Sequence, residues 1–187
     1  MNDFTSHPAV RRIADSTVRR LSLYLRFLEE STNRGLVTIS SDELARRGGT
    51  TSAQVRKDLS FFGSFGKRGL GYPVPELADR LREILGLKRR YRVALIGAGK
   101  IGRQWNGLTV LSIETLEQEL GRHPIDMAVL VTPADAAQAV TDRLLALGVK
   151  AILNFAPVQL AVPDDVVVKT VNLALELETL SYALASR

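Results

Sequence analysis

The sequence predicts an α/β chain in two parts: a winged helix-turn-helix unit over residues 1–88, then a Rossmann-like parallel α/β domain over 89–171 followed by a terminal helix over 172–187. Three observations predict it. Short helices led by Ser or Thr caps and closed by glycines fill the first half. A Gly-rich stretch carrying two adjacent cations follows them. In the second half β-branched runs alternate with an amphipathic helix, and the first run leads straight into G-x-G-x-x-G.

Val18, Leu21, Tyr24, Leu25 and Leu28 recur at helical spacing over residues 17–32, with Asn33, Arg34 and Gly35 as the exit. Ser40 or Ser41 offers a capping oxygen to a short helix that ends at Gly48 and Gly49. Thr51 or Ser52 caps the next, residues 53–62, which turns Val55, Leu59 and Phe62 inward and leaves Gln54, Arg56, Lys57 and Ser60 outward. Short helix, turn and polar-faced helix is helix-turn-helix order. Residues 63–74 place Lys67 and Arg68 among four glycines and flanking aromatics, the composition of a hairpin wing whose backbone can approach a phosphate closely. Pro73 and Pro75 bracket the start of a further helix near residues 76–87, and Lys88, Arg89 and Arg90 read as a solvated linker.

The charge is lopsided. Residues 1–92 hold 18 Lys and Arg against 10 Asp and Glu, and the remainder holds 7 against 10. A basic half joined to a slightly acidic one fits a phosphate-binding module attached to a ligand domain. The DNA-facing candidates are Ser52, Gln54, Arg56, Lys57, Ser60, Lys67, Arg68 and Tyr72; Gln54 and Arg56 are placed to reach base edges, Lys57 and Ser60 to hold phosphates. The chain has no cysteine and two histidines, His7 and His123, which excludes disulfides and thiolate sites and leaves no expected metal. No apolar run approaches the ~20 residues of a membrane span, and residues 1–10 lack a signal-peptide core, so a cytoplasmic location is expected.

In the second half, strands are expected at residues 93–96, 126–132, 149–155 and 166–171, a helix at 133–147, and a terminal helix at 172–184 that is apolar on most faces. Parallel strands bring their C-terminal ends to one sheet edge, where ligands bind. Gly97, Ala98, Gly99, Lys100, Ile101 and Gly102 belong there, with Thr132, Pro133, Phe155 and Pro157 on neighbouring loops.

Three segments carry a family resemblance: Arg20-Leu-Ser-Leu-Tyr-Leu-Arg26; Gln54-Val-Arg-Lys-Asp-Leu-Ser-Phe-Phe-Gly-Ser-Phe-Gly-Lys-Arg-Gly-Leu-Gly-Tyr72; and Asn154-Phe-Ala-Pro157. Together they resemble the Rex family of redox-sensing transcriptional repressors, over nearly the whole chain. The resemblance implies a homodimer whose winged helices bind operator DNA and whose Rossmann domains bind NADH or NAD+, with NADH releasing the DNA. It also implies a C-terminal helix exchanged between subunits.

The sequence departs from that family in two places. Many members carry an acid where this chain has Asn172. A Rossmann crossover and its return strand, with an acid for the adenine ribose about 20 residues past the glycines, should follow Gly102, yet only Arg103 to Gly107 precede the next strand-like piece, Leu108 to Leu111. Either the chain lacks the segment after Gln104, or the native protein holds residues that this sequence omits. Losing a central strand would cost more than the ~5–15 kcal/mol that stabilises a domain, which favours omission. No catalytic residue is needed for the expected function. Two other readings stand beside it: a nicotinamide-dependent oxidoreductase with an incidental basic domain, and a DNA-binding repressor that ignores NADH.

Overall fold

The computed structural model describes residues 13–63, 66, 70–97 and 112–186. The chain divides into two units, Met1–Arg90 and Tyr91–Arg187.

The first unit is built on α1 (Asp15–Asn33), with β1 (Thr38–Ile39), α2 (Ser41–Gly48), α3 (Ser52–Ser60), β2 (Tyr72–Pro73) and α4 (Val74–Ile84) following. Ser40 Oγ accepts from the Glu43 amide and Thr51 Oγ1 from the Gln54 amide, so the first residue of each capping pair is the cap. Asp42 and Glu43 in the first turn of α2, and Arg46 and Arg47 in its last, complement the helix dipole. Helix α4 begins two residues earlier than the prolines suggested, because Pro75 falls in the first turn, where its missing N–H costs nothing. Leu21, Tyr24 and Leu28 of α1 meet Leu44, Val55, Leu59, Val74, Leu77 and Leu81 in one core, all at most 2% exposed.

Strands β1 and β2 pair antiparallel, Thr38 with Pro73 and Ile39 with Tyr72. They close the base of the segment expected to be the wing. Gly71 has φ +78°, and a Cβ there would lie 2.5 Å from the Ile39 carbonyl oxygen, so only glycine permits the strands to meet. Ser64, Phe65, Lys67, Arg68 and Gly69 lie outside the described residues.

The second unit contains β3 (Val93–Ile96), a 3-10 turn (Ile113–Thr115), α5 (Leu116–Arg122), β4 (Met127–Leu130), α6 (Ala134–Ala146), β5 (Ala151–Asn154), β6 (Val167–Thr170) and α7 (Leu173–Ala185). All four strands are parallel, in the order β3-β4-β5-β6, with Ile96, Leu130, Asn154 and Thr170 in one row. Ile96, Ala128, Leu130 and Ile152 share a buried cluster with Ala137, Val140 and Leu144 of α6 and Leu116 of α5. The 3-10 turn and α5 were not expected from the sequence. Within β3, Val93 and Leu95 are 54% and 41% exposed, an incomplete cover for a parallel sheet. Among the described residues β3 pairs on one side only, with β4. The strand-like piece Leu108 to Leu111 lies outside them.

Helix α7 has no buried residue. It therefore does not pack on its own sheet.

Candidate functional site

In parallel pairing the Val131 amide donates to the Ile96 carbonyl and the Phe155 amide to the Leu130 carbonyl. Gly97, Thr132 and Phe155 are thereby carried to the same C-terminal edge of the sheet, as the alternating pattern predicts. Gly97 has φ +89°, and a Cβ there would lie 2.6 Å from Thr132 Cγ2 and 2.8 Å from the Thr132 nitrogen and the Val131 carbonyl carbon. The first glycine of the fingerprint is thus fixed by its left-handed backbone and by the neighbouring strand. Thr132 Oγ1 is buried and is the one such side-chain atom among the described residues without a hydrogen-bond partner. A buried hydroxyl left unpaired costs about 1–3 kcal/mol, which a ligand supplying its partner recovers. Pro133 precedes the first turn of α6, whose amino end has no side-chain cap. The tight glycine, the orphaned hydroxyl and the open helix end at one edge fit a dinucleotide. Ala98 to Gly102 lie outside the described residues.

Asn154 was not among the expected site residues, yet it shapes one of the loops at this edge. It is fully buried; its Nδ2 donates to the Ala156 and Val158 carbonyls at 3.2 and 2.9 Å, and its Oδ1 accepts from the Ala156 amide at 2.9 Å. This one side chain ties down the loop that carries half-buried Phe155 and exposed Pro157. Its place in the Asn-Phe-Ala-Pro motif was the available signal.

In the first unit, Arg56, Lys57 and Ser60 of α3 are exposed as expected, and Ser52 is half-buried at the helix start. Arg56 Nη1 donates to Ser41 Oγ at 2.9 Å, linking α3 to the start of α2. Two expectations need correction. Tyr72 is 8% exposed and belongs to the core, because its place in β2 packs it with the buried cluster of the first unit instead of leaving it on the surface. Burial raises its pKa, against the lowering effect of Arg56. Gln54 is half-buried, and its Nε2 donates to Asp58 Oδ1 at 2.8 Å, so its side chain is not the freely projecting one expected.

Asp58 is the centre of that second correction. It is fully buried and accepts from Arg20 Nε and Nη2 at 2.6 and 2.7 Å, from Tyr24 Oη at 3.1 Å and from Gln54. Burial works to raise its pKa, but the hydrogen bonds from Arg20, Gln54 and Tyr24 outweigh it and hold the carboxyl below its ordinary value of 3.8. Burial, then the Asp58 charge, pushes the Tyr24 phenol up to about 12 from 10.0. A raised tyrosine pKa means that the folded state holds the proton more tightly, so this contribution is full below pH 10 and fades as pH rises toward 12. The Asp58 contribution is full above its unfolded pKa and fades as pH falls through its lower folded one. The first unit should therefore lose stability at both extremes, and urea unfolding of Tyr24→Phe should show a shallower alkaline decline above pH 10, the remainder belonging to Tyr72. An unchanged alkaline limb in that variant would show that Tyr24 is not its source.

Comparison with known proteins agrees with both halves of this geometry. The family model for a DNA-binding protein N-terminus matches residues 12–60, and the CoA binding domain model matches residues 76–158. The redox-sensing transcriptional repressor Rex of Syntrophomonas wolfei subsp. wolfei is 42% identical over 204 residues, covering 94% of this chain and 97% of the relative. The chain belongs to the Rex family. The Rex repressor of Carboxydothermus hydrogenoformans is 40% identical, with 91% and 96% covered. Among solved structures, RSP in complex with β-NAD+ and operator DNA matches with a TM-score of 0.86 and 37% identity, 94% of each chain covered. RSP in complex with β-NADH matches at 0.81 and 36%, with 93% and 95% covered. These Rex relatives are named repressors, not enzymes.

The alignment to the Syntrophomonas Rex is longer than this chain's share of it. Its 204 positions draw on 94% of 187 residues, about 176, so about 28 positions of the relative face no residue here. That is enough for one average helix, one strand and their loops.

Proposed function

We propose that this Rex-family chain is a cytoplasmic redox-sensing repressor that binds operator DNA as a homodimer and leaves it when NADH binds. The observation that carries the reading is one chain holding both an exposed cationic helix, α3 with Arg56 and Lys57, and a sheet edge where Gly97 and the orphaned Thr132 hydroxyl fit a dinucleotide. The names of the Rex relatives and the solved RSP complexes with operator DNA and with β-NADH support it. On this reading the nicotinamide cofactor supplies the redox signal, in its reduced or oxidised form, and needs no catalytic group from the chain. Thr132 binds it through Oγ1, Pro133 and the amino end of α6 face its charge, and Asn154 holds Phe155 and Pro157 beside it. Ala98 to Gly102, Lys100 among them, are assigned to the phosphates of the nucleotide, and Lys67 and Arg68 to those of DNA.

The second copy is proposed from α7. Leu173, Leu177, Leu180 and Leu184 fall at intervals of four, three and four along one side of the helix, and Leu175 and Tyr182 lie seven apart on another; all six are 56–76% exposed. A helix apolar on two sides needs cover on both, and exchange between two copies supplies it. Asn172 caps α7, its Oδ1 accepting from the Ala174 and Leu175 amides at 3.1 and 3.3 Å. It carries no charge, so an ion-pair switch through this position is not available.

Release is a population shift: a hundredfold change in DNA affinity requires NADH to favour the DNA-incompetent arrangement by about 2.7 kcal/mol. Sedimentation velocity of the chain with a labelled operator duplex tests the dimeric reading, which expects two protomers per palindrome; a single bound protomer contradicts it. Within α3, Arg56→Ala should weaken operator binding by about 1–3 kcal/mol while sparing random DNA, whereas Lys57→Ala should weaken both alike. Equal losses on both duplexes for both variants would refute that division.

A further inference from the structure

The role of Gln54 can be sharpened beyond general DNA contact, on the footing of the DNA-binding reading above. Gln54 is the third residue of α3, in the first turn of the second helix of the helix-turn-helix. Residues at that end of such a helix meet base edges in the major groove. Its amide is not free to choose which atom it presents. Asp58 is the one fully buried carboxylate among the described residues, and an ionised carboxylate only accepts, so Nε2 must be the atom turned toward it. Arg20, with two donated hydrogen bonds, and Tyr24, with one, hold Asp58 from the other side. Oε1 takes no hydrogen bond among the described residues and is left for an outside donor.

We propose that Gln54 is a specificity-determining residue that accepts, through Oε1, from an exocyclic amine in the major groove, adenine N6 or cytosine N4. Asp58, held by Arg20, is the positioning residue that fixes this polarity. Exocyclic amines are the major-groove donors that bases offer, and leaving a desolvated acceptor without its donor costs about 1–3 kcal/mol, roughly five- to a hundred-and-fiftyfold. Arg56 remains the residue suited to guanine acceptors, so the two side chains of one helix read opposite hydrogen-bonding characters.

The test uses the full-length chain and the palindromic duplex it selects from a random pool. Each adenine of that duplex is replaced in turn by purine, and each cytosine by pyrimidin-2-one, which deletes the amine alone. Affinities are measured for wild type, Gln54→Met and Asp58→Asn, each checked by its melting curve. One amine per half-site should matter roughly five- to a hundred-and-fiftyfold to the wild type and not at all to Gln54→Met. At that same position Asp58→Asn should lose most of the discrimination, because its amide no longer dictates which way Gln54 turns. Any effect of the analogue on the duplex itself cancels in the comparison between variants.

If wild type and Gln54→Met respond identically to every deletion, Gln54 reads no amine and the proposal fails. If Asp58→Asn folds and keeps the full wild-type discrimination, the positioning role fails; if it does not fold, the Gln54→Met profile alone decides the amine contact. A wild type that selects no duplex overturns the DNA-binding reading and this inference together, which separates the two failures.

Discussion

Leu177→Glu combined with Leu180→Glu should convert the chain from a dimer to a monomer and lower its affinity for a palindromic operator by a hundredfold or more. Both side chains lie on the leucine stripe of α7, at 63% and 61% exposure. Burying a leucine contributes about 1.5–3 kcal/mol, and in the proposed dimer two copies would bring four such leucines to the interface, so the double substitution would remove several kcal/mol before the charges repel. Two half-sites gripped by one dimer act as a linked pair, and a monomer loses that linkage. Sedimentation velocity reads the mass, and fluorescence anisotropy on full and half operators reads the affinity. The monomer should bind a half-site about as well as the full palindrome. A variant that stays dimeric would place the interface elsewhere.

Gly97→Ala should abolish the response to NADH while leaving operator binding in place. A residue with a side chain at φ +89° is strained by about 1–2 kcal/mol, and its Cβ would press on backbone atoms of Val131 and Thr132 at 2.8 Å. Strands β3 and β4 must then part at the edge where the Thr132 hydroxyl waits. The expected loss is ten- to a hundredfold or more in NADH affinity, with a lowered melting temperature for the second unit and DNA affinity within about twofold of wild type. NADH fluorescence titration beside a melting scan separates the effects. Unaltered NADH affinity would remove Gly97 from the site.

Much of this fold was legible because its signals are local. Ser40 and Thr51 as caps, Gly48 and Gly49 as a stop, and the β-branched run at Val93 to Ile96 depend on neighbours within a few residues. The shared sheet edge followed from parallel alternation. What escaped depends on distant partners. Asp58 carried no sequence signal of its own, and Arg20, 38 positions away, and Tyr24, 34 away, join Gln54 to make its burial tolerable. Gln54 turned inward with it for the same reason. Tyr72 resembled a wing aromatic until the pairing of Ile39 with Tyr72 placed it over the core. The inward bonds of Asn154 close a turn that composition does not announce. Helix α5 is one short stretch of seven residues, too brief for periodicity to mark.

The short crossover remains the most consequential feature of the sequence. With only Arg103 to Gly107 between the fingerprint and the next strand-like piece, the sequence leaves no room for the return strand and acid that the family resemblance implies. On the proposed function, the chain still couples a nicotinamide nucleotide to DNA. The most direct measurement is anisotropy of a labelled Rex-type palindrome at fixed salt, titrated with NADH and separately with NAD+. Specific binding that NADH reverses and NAD+ spares is expected; specific binding indifferent to both nucleotides would rule the coupling out.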